Sequence, residues 1–253
     1  MTYSRKLALA TGIFFLITII ASIPAAFVFY APVLGDPRYI LGGGGADTSV
    51  FWGAFLEVIT ALACIGTAVA LFPIVKKQNE AVALGYVAVR VLEATIIFVG
   101  IASLLSVVTL RQDLAGASGA DAASLGQLGR GLVALHDATF VLGPGLLAGL
   151  GNGILLGYLM YRSGLVPRRM ALLGLVGGPL VTASGIAILF GLYEQVSPVA
   201  ALTAIPETLW EASLGIWLVV KGFDPSAAIL SEPDATDPNG SDKESGKLSL
   251  SKA

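Results

Sequence analysis

The sequence predicts an all-α fold, namely a polytopic transmembrane bundle of six helices. The first observation is the composition: 55% of the 253 residues are hydrophobic and only 13% are charged, whereas soluble domains carry about 25% charged residues. The second observation is the length of the apolar runs, since a helix that crosses a bilayer needs about 20 apolar residues. The segments that qualify are roughly 7–29, 50–75, 81–109, 130–161, 169–192 and 199–221.

The first segment follows Arg5 and Lys6 and therefore resembles a secretory signal. Its apolar run covers roughly 7–29, however, and no convincing A-x-A cleavage site occurs near the letters SIPAAFVFY. A signal peptide has a shorter apolar region and ends at such a site. We therefore expect a retained transmembrane helix.

The fourth segment is too long for one straight span. Its 31 or so residues would extend about 46 Å as a helix, against a bilayer core of about 30 Å. Gly143-Pro144-Gly145 predicts a kink, and the other option is that the outer end projects into the headgroups. Glycines then recur every four residues, which favours close packing of a neighbouring helix over chance spacing. These glycines are Gly145, Gly149, Gly153 and Gly157.

The lysines and arginines between the segments predict the orientation of the bundle. Eight of them alternate correctly along the chain on one side, and three lie on the other side. Because cytoplasmic loops carry an excess of Lys and Arg, we expect both termini in the cytoplasm and a multi-pass protein of the cell membrane. The eight are Arg5, Lys6, Lys76, Lys77, Arg162, Arg168, Arg169 and Lys221, and the three are Arg38, Arg111 and Arg130.

The end of the chain differs from the rest in composition. From Asp224 to Ala253 it is rich in Ser, Pro, Gly and Asp, and such a segment cannot bury a core. We therefore expect a six-helix transmembrane domain over residues 1–223 and a disordered cytoplasmic tail over residues 224–253.

Seven ionisable residues lie within the apolar segments. A charge at the centre of a bilayer costs about 3 kcal/mol on insertion scales, so such residues need partners or a function. Counting about 1.5 Å per residue along each helix places them at similar depths in the outer half of the bilayer. We predict that they form one shared polar layer that binds a ligand. They are Glu57, Arg90, Glu93, His136, Asp137, Glu207 and Glu211.

Two pairs within this layer have helical spacing. Arg90 and Glu93 can pair along their own helix at i, i+3, while Glu207 and Glu211 at i, i+4 share one face. Two carboxylates that close cannot both ionise cheaply, which predicts a group that shares a proton or attracts a cation. The alternative is that the pairs only fix helix register. For His136, a structural hydrogen bond and a proton relay are both open.

Several classes of site are excluded or disfavoured. The single cysteine, Cys64, excludes an internal disulfide and a cysteine metal cluster, and no H-E-x-x-H, G-x-S-x-G or Walker motif occurs. We expect no metal and no cofactor, and no catalytic residue is indicated. The chain has no basic stripe, which excludes nucleic acid as a partner. The expected partners are membrane lipid and a small polar or cationic ligand or protons; nothing indicates the oligomeric state.

Several motifs resemble one known family. The most specific is ALFPIVKK followed by GYVAVRVLEA, with YAPVLGDPRYI and PETLWEASLGIWLVVKGF at either end. From about residue 7 to residue 223 the chain resembles the bacterial membrane proteins of domain-of-unknown-function family 4386. The resemblance implies an all-helical integral membrane protein and no substrate or catalytic role. It points to these motif positions: Glu57, Arg90, Glu93, Glu207 and Glu211.

Three functions are compatible with these observations. The first is a protein that binds or transports a small molecule, an ion or protons at the buried polar layer. The second is a membrane-embedded enzyme that acts on lipid, with His136 and Asp137 as a general acid/base pair. The third is a structural or assembly protein that uses the glycine ridge. The sequence favours the first and leaves the other two open.

Overall fold

The computed structural model describes residues 1–36, 38–42, 45–113, 115–116 and 118–231. The described residues form helices and no β-strand, which confirms the predicted all-α class. The α-helices are α1 (Tyr3–Pro24), α2 (Ala31–Gly35), α3 (Asp47–Val75), α4 (Glu80–Asp113), α5 (Ala120–Phe140), α6 (Gly157–Ser163), α7 (Arg168–Leu189) and α8 (Pro198–Val220). Three π-helical segments continue α1 or join α5 to α6, namely Ala25–Phe29, Val141–Leu147 and Gly149–Leu156.

Five helical stretches of the described chain are long and apolar enough to cross a membrane. They coincide with the first five predicted segments, and they are Tyr3–Phe29, Asp47–Val75, Glu80–Asp113, Ala120–Ser163 and Arg168–Leu189. Helix α8 occupies the sixth segment and has 23 residues, but Glu207 and Glu211 lower its hydropathy and it is not among the five. Its status as a sixth span therefore stays a prediction.

The long fourth stretch has 44 residues, or about 66 Å at 1.5 Å per residue. It begins earlier than the predicted 130–161, so one end extends well beyond a bilayer core of about 30 Å. The predicted break at Pro144 lies inside the π-helical segment Val141–Leu147. Proline has no backbone N–H and cannot continue the regular hydrogen-bond ladder, and π-bulges are one way in which a helix accommodates such a break.

The long helices form a closed ring. Each one packs against the preceding and the following long helix, and α1 packs against α8 to complete the circuit. Helix α4 lies beside α3 on one side and beside α5 and the π-helical segments on the other, and α7 packs against those segments and against α8. Side chains that face the middle of the ring from α3, α4, α8 and the π-helical segments can therefore meet.

The two described ends of the chain lie at the same end of the ring. The Arg5 guanidinium on α1 donates hydrogen bonds to the carbonyl oxygens of Leu218 at 2.8 Å and Val219 at 2.6 Å. These carbonyls are among the last of α8, where the helix dipole favours a cation. We call this end of the ring the terminal end. The opposite end carries the described residues between α1 and α3, and we call it the loop end.

The loop end is held by a polar contact group around Tyr39. The Tyr39 hydroxyl donates to Asp47 at 2.9 Å, and the Arg111 guanidinium lies 4.2 Å from the centre of the Tyr39 ring and 3.4 Å from the Asp47 carboxylate. Val33 and Ile40 of the same connection are buried. The described part of this glycine-rich connection is therefore packed onto α3 and α4.

The first residues after the predicted domain boundary are packed rather than free. The Asp224 amide donates to the Leu165 carbonyl at 2.8 Å, and Ala227 and Ile229 belong to the main hydrophobic core. The packed domain therefore extends past residue 223 to Leu230, which also packs against this core. Residues 232–253 of the predicted disordered tail lie outside the described part of the chain, and that prediction remains untested.

Glycines allow the π-helical segment Gly149–Leu156 to approach α7 closely. A Cβ atom added at Gly149 would lie 2.7 Å from the Gly178 carbonyl oxygen, and one added at Gly157 would lie 3.2 Å from the Leu175 amide. At Gly153 the nearest atom is the Gly178 Cα itself. Gly145 lies beside Gly185 at the end of this contact. The predicted ridge therefore faces α7 within the same chain.

Replacing Gly178 by alanine should destabilise the bundle. The new Cβ would lie 2.6 Å from the Gly149 carbonyl oxygen and 2.7 Å from the Gly153 Cα, and backbone atoms cannot move aside cheaply. We expect a loss of about 1–3 kcal/mol in the free energy of unfolding and a lower thermal midpoint by circular dichroism in detergent. Gly131→Ala is the control, because nothing lies within 4 Å of its added Cβ. Equal midpoints for the two variants would contradict this packing.

Candidate functional site

The structure divides the seven predicted ionisable residues into two groups. The first, the central group, combines α4 with α8 and consists of Arg90, Glu93, Glu207 and Glu211. The second, the loop-end group, combines α3 with α5 and consists of Glu57, His136 and Asp137. The charges interact within each group: Glu207 with Glu211, Arg90 and Glu93, and Glu57 with His136.

A buried ion pair on α4 is the core of the central group. The Arg90 Nη1 atom lies 2.6 Å from Glu93 Oε2, and only 1% of Arg90 and 4% of Glu93 is exposed. The Arg90 Nε atom donates a long, 3.5 Å hydrogen bond to the Cys64 carbonyl oxygen on α3. The arginine stem passes Gly151, where an added Cβ would lie 3.6 Å from Arg90 Cδ. The stem therefore packs against this segment at van der Waals distance.

Asn152 connects the π-helical segment Gly149–Leu156 to α8 at the central group. Its amide nitrogen donates to Glu211 Oε1, and its backbone carbonyl accepts from the Trp210 indole at 2.9 Å. Asn152 is 1% exposed and lies within the π-helical segment Gly149–Leu156, a type of distortion that is frequent at functional sites. The amide oxygen of Asn152 is buried and has no hydrogen-bond partner among the described residues.

Glu207 lacks the partners that the other charges of the group have. It is 5% exposed, and neither carboxylate oxygen has a hydrogen-bond partner in the described part of the chain. Glycines form its surroundings: an added Cβ at Gly153 would lie 2.6 Å from Oε2, and one at Gly177 would lie 2.9 Å from it. A buried, unpaired carboxylate costs several kcal/mol, about 3–5 in measured cases, so a proton, a cation or a donor group bound here would lower that cost.

The loop-end group is arranged around Tyr30. The Tyr30 hydroxyl donates to Glu57 Oε2 at 2.9 Å, and its ring meets the His136 ring edge to face with centroids 5.5 Å apart. Burial, and then the charge of Glu57, raise the pKa of Tyr30 above its ordinary value, which keeps the hydroxyl a donor. Beside Glu57 and His136 lies a cavity of about 10 Å³, which is room for about one water molecule.

His136 is buried and incompletely paired. It is 4% exposed, and its Nδ1 atom lies 3.6 Å from Asp137 Oδ1, which is too long for a hydrogen bond. That nitrogen has no hydrogen-bond partner among the residues that the structure describes. The Asp137 side chain, by contrast, is 57% exposed. Within the described residues, His136 and Asp137 therefore do not form the hydrogen bond that would join a general acid/base pair.

The two groups lie at different levels of the bundle. Glu57 precedes Cys64, which contacts Arg90, by seven residues on α3, and Glu93 precedes Gly100, which contacts His136, by seven residues on α4. Seven residues correspond to about 10 Å along a helix axis. The structure thus brings Arg90, Glu93, Glu207 and Glu211 together but separates them from Glu57, His136 and Asp137.

Three functional-site residues were not identified by the sequence reasoning. Tyr30 and Trp210 are aromatic residues of a kind that is common at membrane interfaces and in cores, so neither stands out. Asn152 had a usable signal, because it is the one asparagine within the predicted apolar segments and a polar residue there usually has an interhelical partner. No cluster of three His, Cys, Asp or Glu side chains within the described ranges has the arrangement of a metal site.

Comparison with known proteins identifies one family. The model of the family described as Domain of unknown function (DUF4386) matches residues 10–222, which covers α1 from its third turn to the end of α8 and both groups of ionisable residues. Neither the curated proteins nor the solved structures give a match. The family match and the apolar helices together support a multi-pass membrane protein of a family without an assigned function.

Replacing Arg90 by leucine should destabilise the protein, because Glu93 would remain buried without its partner. Breaking a buried pair on one side costs about 3–5 kcal/mol, and we expect this loss in unfolding experiments in detergent. Arg90→Leu/Glu93→Leu should recover much of the loss, since it removes both charges. The account would be contradicted if Arg90→Leu were as stable as the wild type. It would also be contradicted if the double variant were less stable than Arg90→Leu, because Glu93 would then not need Arg90 as its partner.

Proposed function

The chain belongs to the domain-of-unknown-function family DUF4386, and we propose that this member binds a proton or a small cation at Glu207 and the rest of the central group. The proposal extends to transport of that ligand across the cell membrane. It takes α8 as the sixth span, with both termini in the cytoplasm. The excess of basic residues at the terminal end supports this orientation.

The observation that carries the proposal is the set of unpaired atoms. Glu207 Oε1, Glu207 Oε2 and Asn152 Oδ1 are buried and have no hydrogen-bond partner within the described residues. All three are acceptors, and Asn152 and Gly153, which contacts Glu207, are consecutive residues. The missing partner therefore has to be a donor or an electrophile. A proton, an ammonium group or a metal cation meets this requirement, whereas an anion does not.

The charge balance of the central group points in the same direction. Arg90 supplies one positive charge, and Glu93, Glu207 and Glu211 supply up to three negative charges. Arg90 is committed to Glu93 at 2.6 Å, and Glu211 accepts from Asn152. Glu207 is left with surroundings of glycine and backbone. Binding one proton or one monovalent cation at Glu207 would halve the excess negative charge.

A purely structural role accounts for Arg90 and Glu93 but not for Glu207. Paired charges can fix the register of helices, and Arg90 and Glu93 have the geometry of such a pair. An apolar residue at position 207 would fix the register at lower cost, because it would leave no acceptor unpaired. The glycine ridge faces α7 within the chain, so it offers no specific support for an assembly function.

We expect Glu207 to be visible as a protonated carboxyl or as a cation-sensitive carboxylate. Infrared difference spectra of the protein in lipid should contain a carboxyl band that changes with pH, or on exchange of Na⁺, K⁺ and ammonium, and that is missing from Glu207→Gln. Glu80→Gln is the matched control, because Glu80 is exposed at the start of α4. Identical spectra for wild type and Glu207→Gln under all these conditions would refute the proposal.

A further inference from the structure

A pocket of about 270 Å³ opens at the loop end of the bundle. It lies between the connection after α2 and the sides of α4 and α5, and we call it the loop-end pocket. Its walls are largely apolar, with Val33, Ile40 and Val107 among them. Its polar lining consists of Asp36, Tyr39, Arg130 and Asp137. This volume is large enough to hold several water molecules, each of which occupies about 30 Å³ in the liquid.

Asp137 and His136 connect this pocket to the small cavity beside Glu57. Asp137 lines the loop-end pocket, and its Oδ1 atom lies 3.6 Å from His136 Nδ1. His136 in turn lines the small cavity together with Glu57. His136 therefore lies between the loop-end pocket on one side and the buried Glu57 carboxylate on the other.

The unpaired His136 Nδ1 atom indicates that this arrangement has a function beyond a structural contact. His136 Nδ1 is buried and has no hydrogen-bond partner in the described residues, and an unpaired buried polar atom costs about 1–3 kcal/mol. The neighbouring Asp137 carboxylate is mostly exposed, so its side chain is free to rotate. A movement of under 1 Å brings Oδ1 within hydrogen-bond distance, about 2.7–3.2 Å.

We propose that the loop-end pocket, Asp137, His136 and the small cavity form a proton path to the Glu57 carboxylate. A protonated Asp137 gives its proton to His136 Nδ1 and becomes a carboxylate. His136 releases the proton on Nε2 to Glu57, through one water molecule in the cavity, and Glu57 becomes a neutral carboxylic acid. The imidazole remains neutral overall, and exchange of its two tautomers moves the proton from Nδ1 back to Nε2. Asp137 is ready again once it has taken up a new proton from the loop-end pocket.

The charged and titratable groups around His136 suit this path. Glu57 on α3 interacts with the imidazole electrostatically, and Tyr30 contacts it edge to face and donates to Glu57. Helix α4 presents only Ile97 and Gly100 at the cavity. Within the loop-end pocket, Asp36 and Asp137 accompany one arginine, Arg130, and Asp36 also pairs with Arg38 at 3.6 Å, so Asp137 is the pocket carboxylate that lies next to His136.

The path concerns different residues from the proposed binding site at Glu207 and does not require it. It reaches the level of Glu57, about 10 Å along α3 from the level of Arg90. The path is tested by measurements on His136 and Glu57 themselves. A failure of the path and a failure of Glu207 to bind a proton or cation would therefore be separate results.

The single histidine of the chain makes the test direct. Protein labelled with ¹⁵N-histidine, purified through a tag without histidine and placed in phosphatidylcholine/phosphatidylglycerol nanodiscs, gives imidazole NMR signals from His136 alone. The rate at which the imidazole N–H exchanges with water is then measured between about pH 5 and 8, where histidine chemistry operates. The same samples in D₂O give the exchange rate of the Glu57 carboxyl, from the infrared band that Glu57→Gln lacks.

Three variants decide the outcome. Asp137→Asn removes the proton donor, and Ala134→Trp occupies the loop-end pocket, which Ala134 lines. Each should slow both exchange rates by about tenfold or more, as loss of a proton-transferring group does. Ala138→Trp is the control, because Ala138 is exposed one turn away and lines neither cavity; it should match the wild type.

The opposite results would overturn the path. Wild-type exchange rates in Asp137→Asn or in Ala134→Trp would mean that protons reach His136 by another route. A His136 imidazole that does not exchange with water in the wild type would mean that the histidine is structural.

Discussion

The structure depends on one buried cation. Arg90 is the one arginine or lysine in the interior of the six apolar segments, and it is almost fully buried. A charge in such surroundings is tolerated only with partners. Glu93 on its own helix and the Cys64 carbonyl on α3 contact Arg90, and the carboxylates on α8 interact with it electrostatically. The contacts of one side chain thus connect α3 with α4, and its charge interacts with the carboxylates of α8.

The same need for a partner distinguishes the buried polar groups that have one from those that do not. Glu93 is paired and Glu211 accepts from Asn152, whereas Glu207 has no partner within the described chain. At the loop end, Tyr30 pairs with Glu57 but His136 Nδ1 is unpaired. A protein interior rarely leaves such atoms unsatisfied. The unpaired atoms of Glu207 and His136 are therefore the candidate places for a ligand or proton, one near Arg90 and one toward the loop end; Thr182 Oγ1 and Trp217 Nε1 are also unpaired among the described residues.

Hydropathy was sufficient to predict five of the spans, because about 20 apolar residues are needed whatever the fold. The ionisable residues of both groups were also found from the sequence, since charges stand out in apolar segments. The division into two groups was not predictable. It depends on how far each helix is rotated and shifted against its neighbours, which the spacing of residues along a single helix does not specify. Neutral partners such as Tyr30 and Asn152 carry no charge that would reveal them.

A double-mutant cycle between Arg90 and Glu211 tests the central claim most directly, because the two residues lie on different helices. Stability is measured for Arg90→Leu, for Glu211→Gln and for the combination, in the same detergent and at the same pH. If the buried cation joins α4 to α8 through charge, the two substitutions should be coupled by about 1 kcal/mol or more. Effects that add to within about 0.5 kcal/mol would contradict the account, since Arg90 would then act on α4 alone.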